Sequence, residues 1–325
     1  MEPIIEVKNL TKYFETTIKQ AGVFGALKGM LRPKKKLVRA VDNVTLRINE
    51  GELVGFIGPN GAGKSTTIKM LTGILHPTSG SIRVLGHDPQ HERIPLAYKI
   101  GTIFGQRQQL WYHLPAIDTF NLFSKIYDMN KEDYQKRLQK LITLFSIKPF
   151  LQKPVRNLSL GERMRCEFVA SLLHHPKVLF LDEPTIGMDL IAKKNLREFI
   201  KRINKTEKIT IILTSHDLED IEQLCPRVIV INHGKILYDG SMEAIKKKVH
   251  YKILDISFDE IPDRLPSIEH TRILESEQFR VKLQIDKNRV PIKVVLDTYL
   301  RSCKIADVVI EDPPIEDVIE RLYRT

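Results

Sequence analysis

Gly58-Pro59-Asn60-Gly61-Ala62-Gly63-Lys64-Ser65-Thr66 sits between an apolar run, Leu53-Val54-Gly55-Phe56-Ile57, and a stretch of helical periodicity over residues 66–75. Glycine at the first and sixth positions, followed by Lys and Ser, is the spacing of a loop that wraps phosphate. The apolar run reads as a buried parallel strand, so the loop has the strand before it and the helix after it that such a site needs. The requirement is physical. Phosphate oxygens need many donors at short range, and glycine lets consecutive backbone N–H groups turn inward with no Cβ in the way. The following helix adds the positive end of its dipole and its unpaired N–H groups. Lys64 is then expected to meet the terminal phosphates, and the Ser65 hydroxyl to ligand a Mg²⁺ ion. Alone, this stretch says only that a nucleoside triphosphate binds.

Further along, Lys177-Val178-Leu179-Phe180-Leu181-Asp182-Glu183-Pro184 describes a second buried parallel strand. It delivers carboxylates to the C-terminal edge of a sheet, where α/β folds bind ligands. Asp182 is expected to hold the metal ion, and Glu183 to accept a proton from the attacking water. The strand over residues 209–213 runs into Thr214-Ser215-His216-Asp217, where His216 reads either as a contact to the terminal phosphate or as a structural histidine. The strand over residues 99–104 runs into Gly105-Gln106-Arg107-Gln108-Gln109. The Gln106 amide oxygen suits a metal ion or the attacking water, and a solvated loop equally well.

Between those strands the pattern is helical over residues 117–154, with Tyr134, Leu138, Leu141, Ile142 and Phe145 on one face. Leu158-Ser159-Leu160-Gly161-Glu162 then opens a helix expected to run to residue 175. Ser159 and Glu162 have the spacing of a capping box, and a helix start bearing a serine and a glycine is also an anion site.

At the N-terminus, residues 4–8 and 40–48 alternate as short strands. Phe14, or Tyr13 beside it, fits an adenine ring by stacking or caps the sheet edge. Residues 17–39 set Val23, Phe24, Leu27 and Leu31 at helical spacing among six Lys and Arg side chains from Lys19 to Lys36, the outline of a basic amphipathic element facing lipid headgroups or a membrane subunit. Gly22, Gly25 and Gly29 would each weaken such a helix by about 1 kcal/mol relative to Ala, and a solvated loop fits the segment as well.

The formal net charge of +11 calls for an acidic partner: nucleotide, nucleic acid or an anionic membrane surface. Cys166, Cys225 and Cys303 are scattered without metal spacing, which points to a reducing compartment and no disulfide framework. No run approaches the ~20 apolar residues that cross a bilayer, and residues 1–13 carry charges where a signal peptide is apolar, so the chain is expected to be soluble by itself.

The order of these motifs (glycine loop, glutamine loop, helical lobe, serine-glycine helix start, acidic strand end, histidine) resembles the ATP-binding subunit of ABC transporters over roughly residues 4–244. The resemblance implies an α/β P-loop NTPase sheet core with a helical subdomain, which hydrolyses ATP with Mg²⁺ and works in pairs. On it, residues 58–66 correspond to the Walker A loop, Phe14 to the adenine-stacking aromatic, and Gln106 to the glutamine that links the nucleotide site to the membrane subunit. Ser159 and Gly161 correspond to the signature that clamps ATP bound to the opposite subunit, and Asp182 and Glu183 to the Walker B acid and the catalytic glutamate. Gly187-Met188-Asp189 resembles the loop that crosses the dimer interface, and His216 the switch histidine. The catalytic set is therefore Glu183, His216, Gln106 and Lys64, and the metal set Ser65, Gln106 and Asp182.

Two positions depart from the family signature Leu-Ser-Gly-Gly-Gln: Leu160 replaces the first glycine and Glu162 the glutamine. A carboxylate beside triphosphate is unfavourable unless it turns back to the helix start. The run of residues 104–111, the basic insert at about 17–39 and a separate tail look most like bacterial drug- and viologen-type exporters, whose permeases are separate chains. The resemblance implies a subunit at the cytoplasmic face of the membrane, paired with a second, identical ATPase and with integral membrane permeases, exporting a small molecule. A soluble ABC ATPase acting on nucleic acid or ribosomes is the alternative. Such members carry two ATPase domains, zinc cysteines or long coiled coils, and this chain has one P-loop and none of these, so no nucleic-acid partner is expected.

The expected division is an ATPase domain over residues 1–245, with its helical subdomain at about 115–160, and an accessory α+β domain over 246–325. In the latter, residues 251–258, 279–285 and 305–310 read as strands and 291–300 as a helix, and Ile315, Val318, Ile319 and Leu322 form the buried stripe of a last helix.

Overall fold

The computed structural model describes residues 2–17, 35–105, 107–247 and 250–324. Gln106 and residues 18–34 of the basic segment lie outside the described residues, and with them the readings made for that glutamine and that insert. The chain forms two compact units, Met1–Gly240 and Ser241–Thr325.

In the first unit, strands β1 (Ile5–Thr17), β2 (Lys35–Ile48) and β4 (Ser79–Val84) make an antiparallel sheet in the order β2-β1-β4. A second, six-stranded sheet has the order β5-β6-β7-β3-β8-β9. Its strands are β3 (Leu53–Ile57), β5 (Ile100–Phe104), β6 (Val178–Asp182), β7 (Thr210–Thr214), β8 (Arg227–Asn232) and β9 (Lys235–Ser241). The pairs β5–β6, β6–β7, β7–β3 and β3–β8 are all parallel. Parallel strands covered on both faces need side chains that are apolar all round, and β3 and β7 are buried at every residue. The shared direction brings the C-terminal ends of β3, β5, β6 and β7 to one edge, so the glycine loop, the Gly105 loop, Asp182 and Thr214 gather there.

The helices Ala116–Ile126, Lys131–Phe145 and Leu160–Leu172 follow β5. Tyr134, Leu138, Leu141, Ile142 and Phe145 are buried as the helical spacing predicts. Asn130 caps the second helix by accepting from the Asp133 N–H at 2.8 Å. Arg137 on that helix is buried and makes a bidentate pair with Glu207 (2.7 and 2.8 Å), at the end of the Leu190–Glu207 helix, and donates to the Leu172 carbonyl. Burial alone would raise the Glu207 carboxyl, but charge-assisted bonds from Arg137 and Lys140 win and hold it down at about 2.

The N-terminal strands are longer than expected. β1 runs on past residue 8, and β2 begins at Lys35 rather than near residue 40, with Tyr13 opposite Arg39 and Phe14 opposite Val38. Each outer half is unremarkable in its own sequence; pairing across the hairpin supplies the missing backbone bonds. The helix expected over 66–75 instead spans Lys64–Leu71, starting directly at the lysine expected to meet the terminal phosphates.

The second unit is a four-stranded antiparallel sheet, β11-β12-β10-β13, built from β10 (Tyr251–Phe258), β11 (Thr271–Glu277), β12 (Arg280–Asp286) and β13 (Ile305–Glu311). Leu254, Ile256, Val281, Leu283 and Ile285 point into a core that includes Val295 and Tyr299 of the Ile292–Ser302 helix. Ile315, Val318 and Ile319 are buried on the Ile315–Arg324 helix. Strand β11 has no counterpart in the sequence reading. Six of its seven residues are exposed, so it lacks the alternation that marks a half-buried strand.

Candidate functional site

Backbone shape comes first at the glycine loop. Gly63 has φ +109°, and a Cβ there would stand 2.3 Å from the Ala40 carbonyl oxygen; at Gly58 it would stand 2.2 Å from the Ile231 carbonyl oxygen. Neither position tolerates a side chain. Gly63 also starts the Lys64–Leu71 helix with no side-chain cap, so the first N–H groups of that helix stay available to an anion. Lys64 is buried, and its Nζ donates to the carbonyls of Gly58 (2.7 Å) and Pro59 (3.1 Å), which holds the ammonium across the loop. Burial pulls its ammonium below the ordinary lysine range, while Glu183 and Asp182 pull the other way.

Ser65 and Asp182 meet: the Ser65 hydroxyl donates to Asp182 Oδ1 at 3.1 Å. The same oxygen accepts from the Thr214 hydroxyl at 2.5 Å, so a residue from the end of β7 fixes the carboxylate at the end of β6. Thr214 has no part in the sequence reading, because a threonine ending an apolar strand carries no local signal of a partner 32 residues away. Next to Asp182, Glu183 has φ +54°, the left-handed region, and its N–H donates to the Thr214 carbonyl at 3.0 Å. Its Oε2 lies 3.0 Å from His216 Nδ1, which joins the two residues read as catalytic and leaves the other ring nitrogen of His216 unengaged by this contact.

Asn60, Ser65, Asp182, Glu183 and His216 line one cavity of about 580 Å³, together with Arg107 from the Gly105 loop. Arg107 was legible only as a basic residue beyond a strand end. The remaining loop residues Pro59, Gly61, Ala62 and Thr66 lie within the same strand-loop-helix segment; Pro59 and Gly61 are exposed and Ala62 is buried. Phe14 is not among the residues lining this cavity. It is 38% exposed on β1, with the Lys12 ammonium 5.3 Å over its ring, and Tyr13 beside it carries the Arg39 guanidinium at 5.5 Å.

Ser159 and Gly161 lie elsewhere. They line a smaller cavity of about 180 Å³ with Met188, Asp189 and Ala192, so one chain does not bring them to Lys64. The helix start there is closed on itself: Ser159 Oγ accepts from the Glu162 N–H (3.2 Å) and Glu162 Oε2 from the Ser159 N–H (2.9 Å). The carboxylate that replaces the signature glutamine is thus turned back to its own helix. A Cβ on Gly161 would come within 3.1 Å of Ala192 Cβ, and the Leu160 side chain packs toward Gly187. Farther along this helix Glu167 is buried, and its carboxylate accepts from the backbone of Gln109 and Leu110. Burial pushes it up to about 7, opposed by those two bonds.

The family model described as ABC transporter matches residues 41–186. The ATP-binding protein NatA of Bacillus subtilis is 33% identical over 225 residues, 69% of this chain and 91% of that protein. The bacitracin transport ATP-binding protein BcrA of Bacillus licheniformis is 34% identical over 210 residues, 65% of this chain and 67% of that protein. Among solved structures, an ATP-binding subunit of an ABC transporter superposes with a TM-score of 0.61 at 25% identity, covering 75% of this chain and 92% of that one. With the sheet order, the glycine loop and the Ser65–Asp182 contact in place, the chain belongs to the ABC transporter family as an ATP-binding subunit, an ATPase with the P-loop fold.

Proposed function

We propose that this subunit powers export of a small molecule or drug through separate membrane permeases, working as one of a pair of ATPases at the cytoplasmic face of the membrane. The observation that carries the two-chain reading is the separation of the two phosphate-binding elements. Asn60 and Ser65 of the glycine loop line one cavity and Ser159 and Gly161 another, so a complete ATP site would need the glycine loop of one subunit and the signature of its partner. The loop before the Leu190–Glu207 helix fits the seam, since Leu190 and Ile191 are 79% and 75% exposed beside it.

In the assembled site Lys64 and the helix N–H groups would hold the β- and γ-phosphates, and Phe14 or Tyr13 would stack on the adenine. Ser65 and Asp182 offer an all-oxygen donor pair 3.1 Å apart, the chemistry that Mg²⁺ takes. Bound Mg²⁺ would neutralise charge on the phosphates. Glu183 would accept the proton of the attacking water, a role worth about 10² to 10⁴ in rate. His216, through its contact to Glu183, would orient that carboxylate and turn its free ring nitrogen to the γ-phosphate. Gln106 is assigned to the same water or metal ion.

For the permease, the favoured docking surface is a depression of about 630 Å³ lined by Ile94, Tyr98, Ile126 and Tyr127. Ile94 is 75% exposed and Ile126 51%, two exposed apolar side chains on a surface that also carries His91 and Arg93. No helix among the described residues is long and apolar enough to cross a membrane. The export reading also draws on BcrA, a relative whose name is that of a bacitracin transport protein. Affinity purification of the chain from gently solubilised native membranes tests the proposal. An integral membrane protein should copurify in stoichiometric amount and be lost from an Ile94→Asp, Ile126→Asp variant. Recovery with ribosomes or nucleic acid, and no membrane protein, would overturn it.

A further inference from the structure

Glu167 sits in the middle of the Leu160–Leu172 helix and is 3% exposed. Among the described residues it makes no ion pair. Its partners are backbone: Oε1 accepts from the Gln109 N–H at 3.1 Å and the Leu110 N–H at 3.4 Å, and Oε2 from the Gln109 N–H at 3.2 Å. An acid buried without a cation is costly, and a leucine would fill the same space without that cost.

Both of its donors belong to one loop. At the near end of that loop, the Gly105 N–H donates to the Asp182 carbonyl at 2.8 Å, and Gly105 and Arg107 line the 580 Å³ cavity. At the far end Leu110 is buried, and the Gln109 side chain donates to the Thr102 carbonyl on β5. Gly105 is thus tied to the carboxylate strand, and residues 109–110 are tied to the helix that begins at Ser159. Glu167 makes the second attachment.

We infer that Glu167 is a positioning residue for ATP hydrolysis: it makes residues 107–110 follow the helix headed by Ser159 and Gly161, so that displacement of this helix moves Arg107 at the wall of the nucleotide cavity. Engagement of the helix start by a partner's nucleotide would then be felt, within the same chain, at its own Lys64 site. The inference rests on reading that cavity as the nucleotide site.

The chain carries its own reporter. Trp111, its single tryptophan, follows Leu110 directly, is 48% exposed, and donates its backbone N–H to the Thr119 hydroxyl at 3.2 Å. Three full-length proteins separate the possibilities: wild type, Glu167→Gln, which keeps a carbonyl acceptor at the same reach, and Glu167→Leu, which fills the volume without one. Each is titrated with a non-hydrolysable ATP analogue and Mg²⁺, with binding read by equilibrium dialysis and loop movement by Trp111 emission, and steady-state ATPase is measured on the fraction that is folded by circular dichroism.

Wild type and Glu167→Gln should shift their emission on binding and agree in kcat within about threefold. Glu167→Leu should bind the analogue within twofold of wild type, lose more than half of the emission shift, and drop at least fivefold in kcat with KM for ATP little changed. An unshifted wild-type emission with binding intact, or a leucine variant with wild-type emission and kcat, would overturn the inference. Loss of kcat and binding together in Glu167→Leu would make the residue a packing element only and overturn it too. Failure of the wild type to bind the analogue would remove the cavity reading itself.

Discussion

The glycine-loop region and the Ser159 region, the two proposed phosphate sites, both begin a helix, yet they are built on opposite plans. At residues 58–66 the donors are left open: Gly63 provides no side-chain cap, and the groups around it come from four parallel strand ends, with Ser65 and Thr214 both donating to Asp182. At Ser159 the helix start satisfies itself, Ser159 and Glu162 exchanging bonds within four residues. A site organised by long-range contacts is complete as soon as the sheet folds. One that is locally closed has to be opened, or approached at its remaining N–H groups and Gly161, by something brought to it. The difference fits one half-site that holds nucleotide by itself and another that acts only in an assembly.

The comparison breaks most sharply at Glu183. Glu183→Gln keeps the glycine loop, Ser65 and Asp182 and removes the proposed proton acceptor, so kcat for ATP should fall by about 10² to 10⁴ while nucleotide binding and nucleotide-dependent pairing persist. Retention of full turnover in a steady-state assay would move the base elsewhere and dissolve the strong half of the contrast.

A smaller effect tests the frame behind the signature. The Arg137–Glu207 pair fastens the helical lobe to the helix that follows Asp189. The Glu207 carboxyl is held at about 2, below its ordinary value of 4.5, so its contribution is fully present above the ordinary value and is lost as pH falls toward 2. Glu207→Gln should therefore cost roughly 3 kcal/mol in urea unfolding at pH 7, and the gap to wild type should narrow as pH falls through the range 4.5 to 2. Glu167 works with the opposite sign. Its carboxyl is raised to about 7, so its ionised form weakens the fold above that pH, and the penalty fades as pH falls toward its ordinary range. A Glu207→Gln gap that stays constant with pH would mean that the pair is not the fastening described.

The smallest effect sharpens the local closure itself. Glu162→Ala removes the bond to the Ser159 N–H and should lower stability by about 0.5 to 1 kcal/mol, seen as a shift of a few degrees or less in the thermal midpoint. An unchanged midpoint would mean that the carboxylate is free in solution, and the self-closed description of that helix start would fail.

Much of the stronger half was legible in the sequence because its information is local. Gly58, Gly63, Lys64 and Ser65 are fixed by spacing, and Asp182 by the apolar strand before it. The capping box is local too, and Ser159 and Glu162 sit where their spacing places them. What could not be read is tertiary. The Thr214 hydroxyl on Asp182 depends on β7 lying beside β6, and strand order is not written in any one segment. Glu167 looks like a solvated helix residue until residues 166–172 of its helix are found buried on every side, and the outer halves of β1 and β2 become strands only through each other. In the second unit β11 escaped notice because it is an exposed edge with almost nothing to bury.

The left-handed backbone at Glu183, φ +54°, carries a consequence for how this sequence can drift. A side chain held in that region costs on the order of 1 kcal/mol or more relative to glycine, so the fold alone would favour Gly or Asn there. Variants selected for heat tolerance without selection for turnover should accumulate such replacements at this codon early. The strand end that carries the proposed proton acceptor is therefore a place where robustness and work compete.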